Sequence, residues 1–142
     1  MEIRQTYLTP RDGWERRVRR WETVDGVRYY QTEKKKRGEL CRLENEWEIA
    51  ETAYLALLEQ ADPRMGTLFK TRYRVQGERH CYEIDVYPFW QDRAILEIEL
   101  TSEDEVVELP PWLSVIREVS GEQAYKNKYL AALFGRRQEE GD

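Results

Sequence analysis

The sequence predicts an α+β fold, in which an antiparallel β-sheet of about seven strands can curl into a barrel with flanking helices. The first observation is that most of the chain consists of short segments in which apolar and charged side chains alternate, which is the period of a half-buried strand. The second is that turn signals such as Asp25-Gly26 and Gly77-Glu78 join neighbouring segments as hairpins. Sequential strands joined in this way favour a meandering sheet that can close on itself.

Four strands are predicted in the first third of the chain. The first ends at a turn cluster around Pro10 and Gly13, and Asp25-Gly26 marks the tight turn between the second and third. A further turn near Gly38 precedes the fourth strand. The pattern assigns these strands to residues 3–8, 14–22, 27–36 and 41–49.

An amphipathic helix is predicted over residues 51–61. Tyr54, Leu57 and Leu58 are among the apolar residues that recur there at helical spacing. Asp62-Pro63 and Gly66 follow as stop signals.

The second half of the chain repeats the strand pattern and then becomes helical. Gly77-Glu78 and Gln91-Asp92 separate three further alternating segments, and Pro110-Pro111 ends a short helix. Apolar spacing near the C-terminus predicts a closing helix. The predicted elements are strands over 67–75, 81–87, 94–101 and 116–119 and helices over 102–107 and 122–134.

Length and composition indicate one domain, predicted over residues 1–134, followed by a polar tail over 135–142. The net charge of −5 argues against a nucleic-acid binder that relies on a basic surface. No apolar run reaches the roughly 20 residues that span a bilayer, and residues 1–8 lack a signal-peptide core. A cytoplasmic protein without membrane or nucleic-acid partners is therefore expected.

The sequence lacks the residues that several common catalytic and metal-binding sites require. Cys41 and Cys81 show no CxxC spacing and are expected to be buried free thiols. His80 is the single histidine, which argues against a zinc site and against a serine or cysteine triad. The sequence also contains no GxGxxG motif and no P-loop.

Most predicted strands have one apolar face and one charged face. Successive side chains of a strand point to opposite faces, so Lys70 and Arg72 lie on one side and Phe69 and Tyr73 on the other. The same spacing pairs further basic or acidic side chains: Arg17 with Arg19, Glu46 with Glu48, Glu83 with Asp85, and Glu97 with Glu99.

Two explanations of the charged face stay open. An antiparallel sheet often has one solvated face, although such faces are usually rich in Thr, Ser, Gln and Lys. If the face points inward instead, both signs of charge share a partly dehydrated cavity, which is costly unless the charges pair or meet a ligand. Basic side chains suit phosphate oxygens and clustered carboxylates suit a hard ion such as Mg²⁺. A cation-bridged polyphosphate satisfies both sets of side chains.

Across nearly its whole length the chain resembles the CYTH family, the triphosphate tunnel metalloenzymes, and in particular its short bacterial members. Residues 3–8 (Ile-Arg-Gln-Thr-Tyr-Leu) resemble the second strand of that family. The other matching pieces follow in the family's order: residues 17–19, 32–34, 46–49, 70–73, 82–87, 97–99, 109–112, 118–119 and 125–128.

The resemblance implies an antiparallel tunnel of about eight strands that binds a triphosphate-containing small molecule together with Mg²⁺ or Mn²⁺. Active members cleave tripolyphosphate, thiamine triphosphate or nucleoside triphosphates by metal-assisted transfer to water, and a few are adenylate cyclases. The implied roles are phosphate binding by Arg17, Arg19, Lys34, Lys70 and Arg72, metal binding by Asp85, Glu97 and Glu99, tunnel lining by Glu46, Glu48 and Glu83, and catalysis by Tyr7 and Lys70.

One departure concerns the first strand of the family. Its Glu-x-Glu-x-Lys motif is absent from this sequence, so two metal-binding carboxylates and a lysine are expected to be missing. In some relatives that lysine pairs with a tyrosine matching Tyr7 to activate water. A barrel without one strand has two unpaired edges, which a second copy of the chain or the C-terminal segment would cover. The plainer alternative is a start codon further upstream.

Three functions are compatible with these expectations. The first is a divalent-metal-dependent triphosphate phosphohydrolase with incomplete machinery, acting on inorganic or nucleoside triphosphate. The second is a module that binds polyphosphate or a nucleotide without cleaving it. The third is a scaffold or dimerisation domain whose inner charges only pair with one another.

Overall fold

A computed structural model of the chain describes residues 1–38, 41–100, 102, 105–107, 109–120 and 122–136. In this part of the chain seven strands form one antiparallel sheet in the order β4-β3-β2-β1-β5-β6-β7. The strands are β1 (Glu2–Arg11), β2 (Trp14–Thr23), β3 (Gly26–Arg37), β4 (Cys41–Ile49), β5 (Leu68–Gln76), β6 (Cys81–Val86) and β7 (Ile95–Ile98), and the helices are α1 (Glu51–Leu58), a 3-10 turn (Gln123–Tyr125) and α2 (Asn127–Phe134). The predicted α+β class and strand number are confirmed.

Tight turns with positive φ join the first three strands. The β1–β2 turn contains Asp12 at φ 53° and Gly13 at φ 81°, and Gly26 begins β3 at φ 126°. Glycine adopts these angles without a steric penalty, which explains why the Asp-Gly signals of the sequence mark the hairpins correctly.

The sheet is curled, and side chains two strands apart meet on its concave side. Arg19 of β2 reaches Glu46 of β4 across β3, and Trp21 of β2 contacts Arg72 of β5 across β1. Strands two apart are separated by about 10 Å in a sheet, so such contacts form most readily where the surface is concave.

Two apolar cores lie on opposite sides of the sheet. On the convex side, α1 packs over the centre of the sheet in a cluster of Leu8, Val18 and Tyr54. On the concave side, α2 closes one end of the curled sheet, and its core cluster contains Tyr7, Leu68, Tyr87, Leu130 and Ala131. The helix α2 therefore covers one end of the concave surface.

Close backbone contact fixes the end of α2. Gly66 precedes β5 and Gly135 follows α2, and a Cβ atom on either glycine would collide with the backbone of the other segment. Beyond this contact, Arg136 exchanges two backbone hydrogen bonds with Thr67, at 2.8 and 2.9 Å. Residues 137–142 of the predicted tail lie outside the described residues, and the division at residue 134 stays a prediction.

The region after β7 differs from the prediction. The strand predicted over 94–101 covers only Ile95–Ile98. The described residues of the helix predicted over 102–107 are not helical. The Glu105 side chain bonds His80, with 2.7 Å between Oε1 and Nε2. The strand predicted over 116–119 is also wrong: Ile116 is 82% exposed and no described strand pairs with this segment.

Two further predictions need correction. The closing helix predicted over 122–134 is divided at Lys126, whose extended backbone (ψ 140°) makes it the N-cap residue of α2. Cys41 is exposed rather than buried, and Cys81 is half-buried, although both are free thiols. Cys41 lies on β4 at the margin of the sheet, where no described element covers its side chain.

Candidate functional site

The strand register brings the predicted site residues to one surface, which we call the charged face. Residues directly opposite each other in an antiparallel pair point to the same side of the sheet. Arg72 lies opposite Asp85, and Glu83 opposite Glu97. Three rows of opposed residues cross the other strands. Two rows run from β1 to β4 (Tyr7, Arg17, Thr32 and Glu46; Gln5, Arg19, Tyr30 and Glu48), and one runs from β2 to β4 (Glu15, Lys34 and Glu44). Ile3 lies opposite both Trp21 and Lys70.

A buried ion cluster lies at the centre of the charged face. Asp85 Oδ1 accepts a hydrogen bond from Arg72 Nε at 2.8 Å, and Oδ2 accepts one from Arg72 Nη2 at 3.0 Å. Lys70 Nζ lies 2.9 Å from Asp85 Oδ2. Lys70 is 2% exposed and Asp85 0%. The buried carboxylate therefore pairs with two buried cations, and Arg72 Nη1 also lies 3.5 Å from Oε2 of the half-buried Glu83.

A second cation group lies on β2. Arg19 is buried and donates from Nη2 to Glu46 Oε1, which also accepts from Thr32 Oγ1 at 3.2 Å. Arg17 is half-buried, two residues before Arg19 on the same side of the strand. Between this group and Lys70 lies β1, whose Gln5 donates from Nε2 to Tyr7 Oη at 2.9 Å.

Several buried polar atoms on the charged face have no hydrogen-bond partner among the described residues. Lys70 Nζ is within ion-pair distance of Asp85 but makes no hydrogen bond of good geometry. A buried donor without an acceptor costs free energy and is rare in proteins. The other unpartnered atoms are Nε of Arg17, Nε of Arg19, Nε1 of Trp21 and Oε1 of Gln5. Four of the five are donors on one surface, an arrangement suited to an acceptor-rich ligand.

Burial and like charge shift the pKa values of this group. Burial lowers the pKa of Lys70 to about 8, which the charge of Asp85 opposes and that of Arg72 reinforces. Burial and then the nearby charge of Arg17 lower the pKa of Arg19. Burial alone would raise the pKa of Asp85, but hydrogen bonds from Arg72 and the charge of Lys70 hold it below its usual range. Burial thus disfavours the charge of Lys70 and Arg19, whereas for Arg72 the hydrogen bonds to Asp85 outweigh burial and raise the pKa.

The margins of the charged face carry exposed carboxylates. Glu46 and Glu48 on β4 are exposed, as are Glu97 and Glu99 at β7. Lys34, half-buried, lies 3.9 Å from Glu44, measured from Nζ to Oε1. At the β7 margin an open groove of about 390 Å³ is lined by Arg74, Gln76, Cys81, Glu83 and Glu99.

The described carboxylates fit a divalent ion only when a ligand supplies further oxygens. Among the described residues no group of three Asp, Glu, His or Cys side chains is placed to hold a metal, and Lys70 and Arg72 occupy both oxygens of Asp85. Glu83 and Glu97 are directly opposed across β6 and β7. Mg²⁺ is often bound by one or two carboxylates together with substrate phosphates, and this donor set matches that arrangement.

Tyr7 lies beside the cations, where the charged face meets the α2 core. It is 4% exposed, and burial raises the pKa of its hydroxyl. The hydroxyl is therefore neutral near pH 7 and can donate a hydrogen bond.

Sequence reasoning missed Trp21 and Gln5, which lie among the predicted cations. Both follow from the same alternation: Trp21 is two residues after Arg19, and Gln5 is two before Tyr7. An aromatic and an amide carry no charge, so a search for charged pairs passes over them.

A curled antiparallel sheet with a charged concave face and a helix across one end defines a tunnel-type β protein. The chain is 34% identical over 134 residues to an inorganic triphosphatase of Nitrosomonas europaea, covering 91% of this chain and 83% of the relative. The chain belongs to the CYTH family of triphosphatases, although a scan against protein-family models finds no match.

Two solved structures of one protein share this fold. A crystal structure of an inorganic triphosphatase superposes with a TM-score of 0.61 at 31% identity, covering 95% of this chain and 87% of the other. A second, described as that of a hypothetical protein, has a TM-score of 0.60 at 32% identity, covering 92% and 84%.

Proposed function

We propose that this chain is a triphosphate phosphohydrolase that binds an inorganic or nucleoside triphosphate on the charged face. The observation that carries the proposal is the group of cations on one concave surface, in which the buried Nε atoms of Arg17 and Arg19 have no hydrogen-bond partner and Lys70 Nζ has only its ion pair with Asp85. Such donors are costly unless a ligand accepts from them, and phosphate oxygens are strong acceptors for guanidinium and ammonium groups. The triphosphatase relative supports the same ligand class.

The proposed role of each cation depends on where it lies on the charged face. Arg17, Arg19, Lys70 and Arg72 would bind the phosphate chain, and Lys34 would bind the part of it nearest β4. Because these groups are crowded before the ligand arrives, neutralisation by an anion relieves their mutual repulsion. The same positive charge would stabilise the negative charge of the transferring phosphoryl group.

A divalent ion, Mg²⁺ or Mn²⁺, would bind at the β7 margin. Glu97 and Glu99 would hold it, with Glu83 beside them, while Glu46 and Glu48 would line the opposite margin. When bound, the ion would neutralise phosphate charge and polarise phosphoryl oxygens. Asp85 would join this set only if the ligand displaced Lys70 and Arg72 from its oxygens.

Tyr7 and Lys70 are the proposed catalytic residues. Lys70 would hold the reacting phosphoryl group, and the neutral Tyr7 hydroxyl would orient a phosphate oxygen or the attacking water. The family's Glu-x-Glu-x-Lys motif is not in this sequence, so we propose slower turnover than in relatives that carry it. Residues 1–134 would form the functional domain, in a cytoplasmic protein with no nucleic-acid or membrane partner.

Binding without cleavage is the second candidate function. The observation that favours it is the occupied Asp85 carboxylate, which leaves no group of three metal-capable side chains among the described residues. A homodimer is part of either proposal, because β4 and β7 have a free edge within the described sheet and free edges are usually covered.

Phosphate release from tripolyphosphate and ATP, with Mg²⁺, Mn²⁺ or a chelator, tests the proposal. Hydrolysis that needs the metal and falls at least tenfold in Glu97→Gln supports the enzyme. The control is Glu59→Gln, an exposed glutamate at the end of α1, which should retain activity. Thermal stabilisation by tripolyphosphate without phosphate release supports the binding module, and no effect of either kind rejects both functions.

A further inference from the structure

Trp21 lies among the guanidinium groups of the charged face. Its ring centroid is 5.1 Å from Arg19 Cζ, 5.9 Å from Arg72 Cζ and 5.4 Å from Arg74 Cζ. Three cations around one indole is unusual, since cation–π contacts occur about once per 70–80 residues.

The three arginines lie on two strands that do not pair with each other. Arg19 precedes Trp21 by two residues on β2, whereas Arg72 and Arg74 are on β5, and β1 lies between the two strands. On the far side, the Tyr30 ring of β3 is 5.4 Å away at an interplanar angle of 60°. The indole therefore contacts the arginine of β2 and the two arginines of β5 across the concave surface.

Each of these three arginines also donates hydrogen bonds to a carboxylate, which engages only some of its guanidinium nitrogens. Arg72 is bound by Asp85, Arg74 donates to Glu83 Oε2 at 2.7 Å, and Arg19 donates to Glu46. Glu46 holds Arg19 toward β4, whereas Asp85 and Glu83 hold Arg72 and Arg74 toward β6, so the guanidinium groups of β2 and β5 are drawn apart. The negative face of an indole attracts all three toward the middle of the charged face.

We propose that Trp21 is a positioning residue for anion binding, whose ring holds the guanidinium groups of Arg19, Arg72 and Arg74 in a converging arrangement before the ligand binds. This inference rests on the proposed triphosphate site. Side chains that are already ordered lose less conformational entropy on binding, so the ring raises affinity without having to touch the phosphate chain.

The experiment measures the Kd of tripolyphosphate by calorimetry, with a chelator present so that no turnover occurs. Trp21→Leu removes the ring but keeps an apolar side chain, and should raise Kd about tenfold through the loss of two or three cation–π contacts. Trp21→Phe retains a ring and should stay within about threefold of the unsubstituted protein. The control is Trp47→Leu, an outward-facing, 41% exposed tryptophan of β4, which should not change Kd.

Fluorinated tryptophans test the ring without changing its shape. Fluorine withdraws the electron density that attracts a cation, so mono- and trifluorotryptophan incorporated throughout the chain should weaken binding stepwise. The same incorporation into Trp21→Phe should have no effect, because the other tryptophans lie outside the cation group. This second measurement decides the question even if Trp21→Leu does not fold.

The outcomes separate this inference from the proposed function. If the unsubstituted protein binds tripolyphosphate and neither Trp21→Leu nor fluorination changes Kd, the positioning role is wrong and the anion site stands. If the unsubstituted protein binds no tripolyphosphate, the proposed function itself fails. A loss in Trp21→Phe as large as in Trp21→Leu would also overturn the role of the ring face.

Discussion

The centre and the margins of the charged face carry opposite charges at different depths. At the centre, Lys70 and Arg72 are 2% and 7% exposed, whereas at the margins Glu48 and Glu97 are exposed. Burying a cation costs free energy, whereas a carboxylate exposed to water carries no such cost. The charges that are costly to bury are therefore the positive ones at the centre. The site therefore suits an anion bound at its buried centre and a metal cation bound at its exposed margin.

Asp85 is the exception to that division, and its removal should have the largest effect on stability. Asp85→Asn leaves Lys70 buried without its counter-ion, and leaves Arg72 with only Glu83, whose Oε2 lies 3.5 Å from Arg72 Nη1. We expect a loss of about 3–5 kcal/mol in the free energy of unfolding, the usual cost of breaking a buried pair. Urea denaturation measures it, and added tripolyphosphate should restore part of the stability by selective binding to the fold.

Glu48→Gln is the matched change at the margin. Its carboxylate is exposed, so the free energy of unfolding should change by no more than about 0.5 kcal/mol. Equal losses in the two variants would show that the centre is not more dehydrated than the margin, which would remove the basis of the comparison.

The depth difference should reappear in ligand affinity. Lys70→Met should weaken tripolyphosphate binding by about 10- to 100-fold, since a hydrogen bond to a charged group contributes about 1.5–3 kcal/mol. Lys34→Met removes a half-buried cation that already faces Glu44, and it should cost less than about fivefold. Calorimetry at fixed ionic strength measures both, and a larger effect at Lys34 would move the binding centre toward β4.

Much of the fold could be predicted because the sheet follows simple alternation. Charged side chains recur at every second residue over 42–48 in β4 and over 70–74 in β5, and Asp25-Gly26 supplies a turn that needs positive φ. These are local signals, and they extend over nearly every strand. The face on which each charge lies followed directly from them.

The depth of each charge could not be predicted in the same way. Glu46 and Arg19 alternate equally well in the sequence, but one is exposed and the other buried, because depth depends on how strands curl and on where α2 packs. The assignments after β7 failed for a related reason. The Glu105 side chain bonds His80, which is 25 residues away, and no local pattern in the sequence reveals this contact.

The pH dependence of binding should distinguish the buried lysine from the arginines beside it. The pKa of Lys70 is lowered to about 8, so the ammonium that binds phosphate is lost as pH rises through that value. Affinity for tripolyphosphate should fall between about pH 7 and pH 9, and Lys70→Arg, charged throughout this range, should flatten the profile. A profile that falls equally in both proteins would assign the titration to another group.

The same shift has the opposite sign for stability. The unfolded lysine titrates near its ordinary value of 10.5 and the folded one near 8, so between these values the unfolded state binds more protons. The contribution of Lys70 to the free energy of unfolding should therefore rise with pH across that window. In Lys70→Met this rise should be absent, which urea denaturation at pH 8 and pH 10 can measure.

The smallest effect is expected for an ion pair near the groove, Arg74 with Glu83. Arg74 Nε lies 2.7 Å from Glu83 Oε2, but the Arg74 side chain is 47% exposed, and solvent screens such pairs. A double-mutant cycle with Arg74→Gln and Glu83→Gln should give a coupling of no more than about 0.5 kcal/mol in the free energy of unfolding, and less at 1 M salt. A coupling of several kcal/mol that resists salt would mean that the rim is as dry as the centre, and the carboxylates there would then be too poorly solvated to receive a metal ion from water.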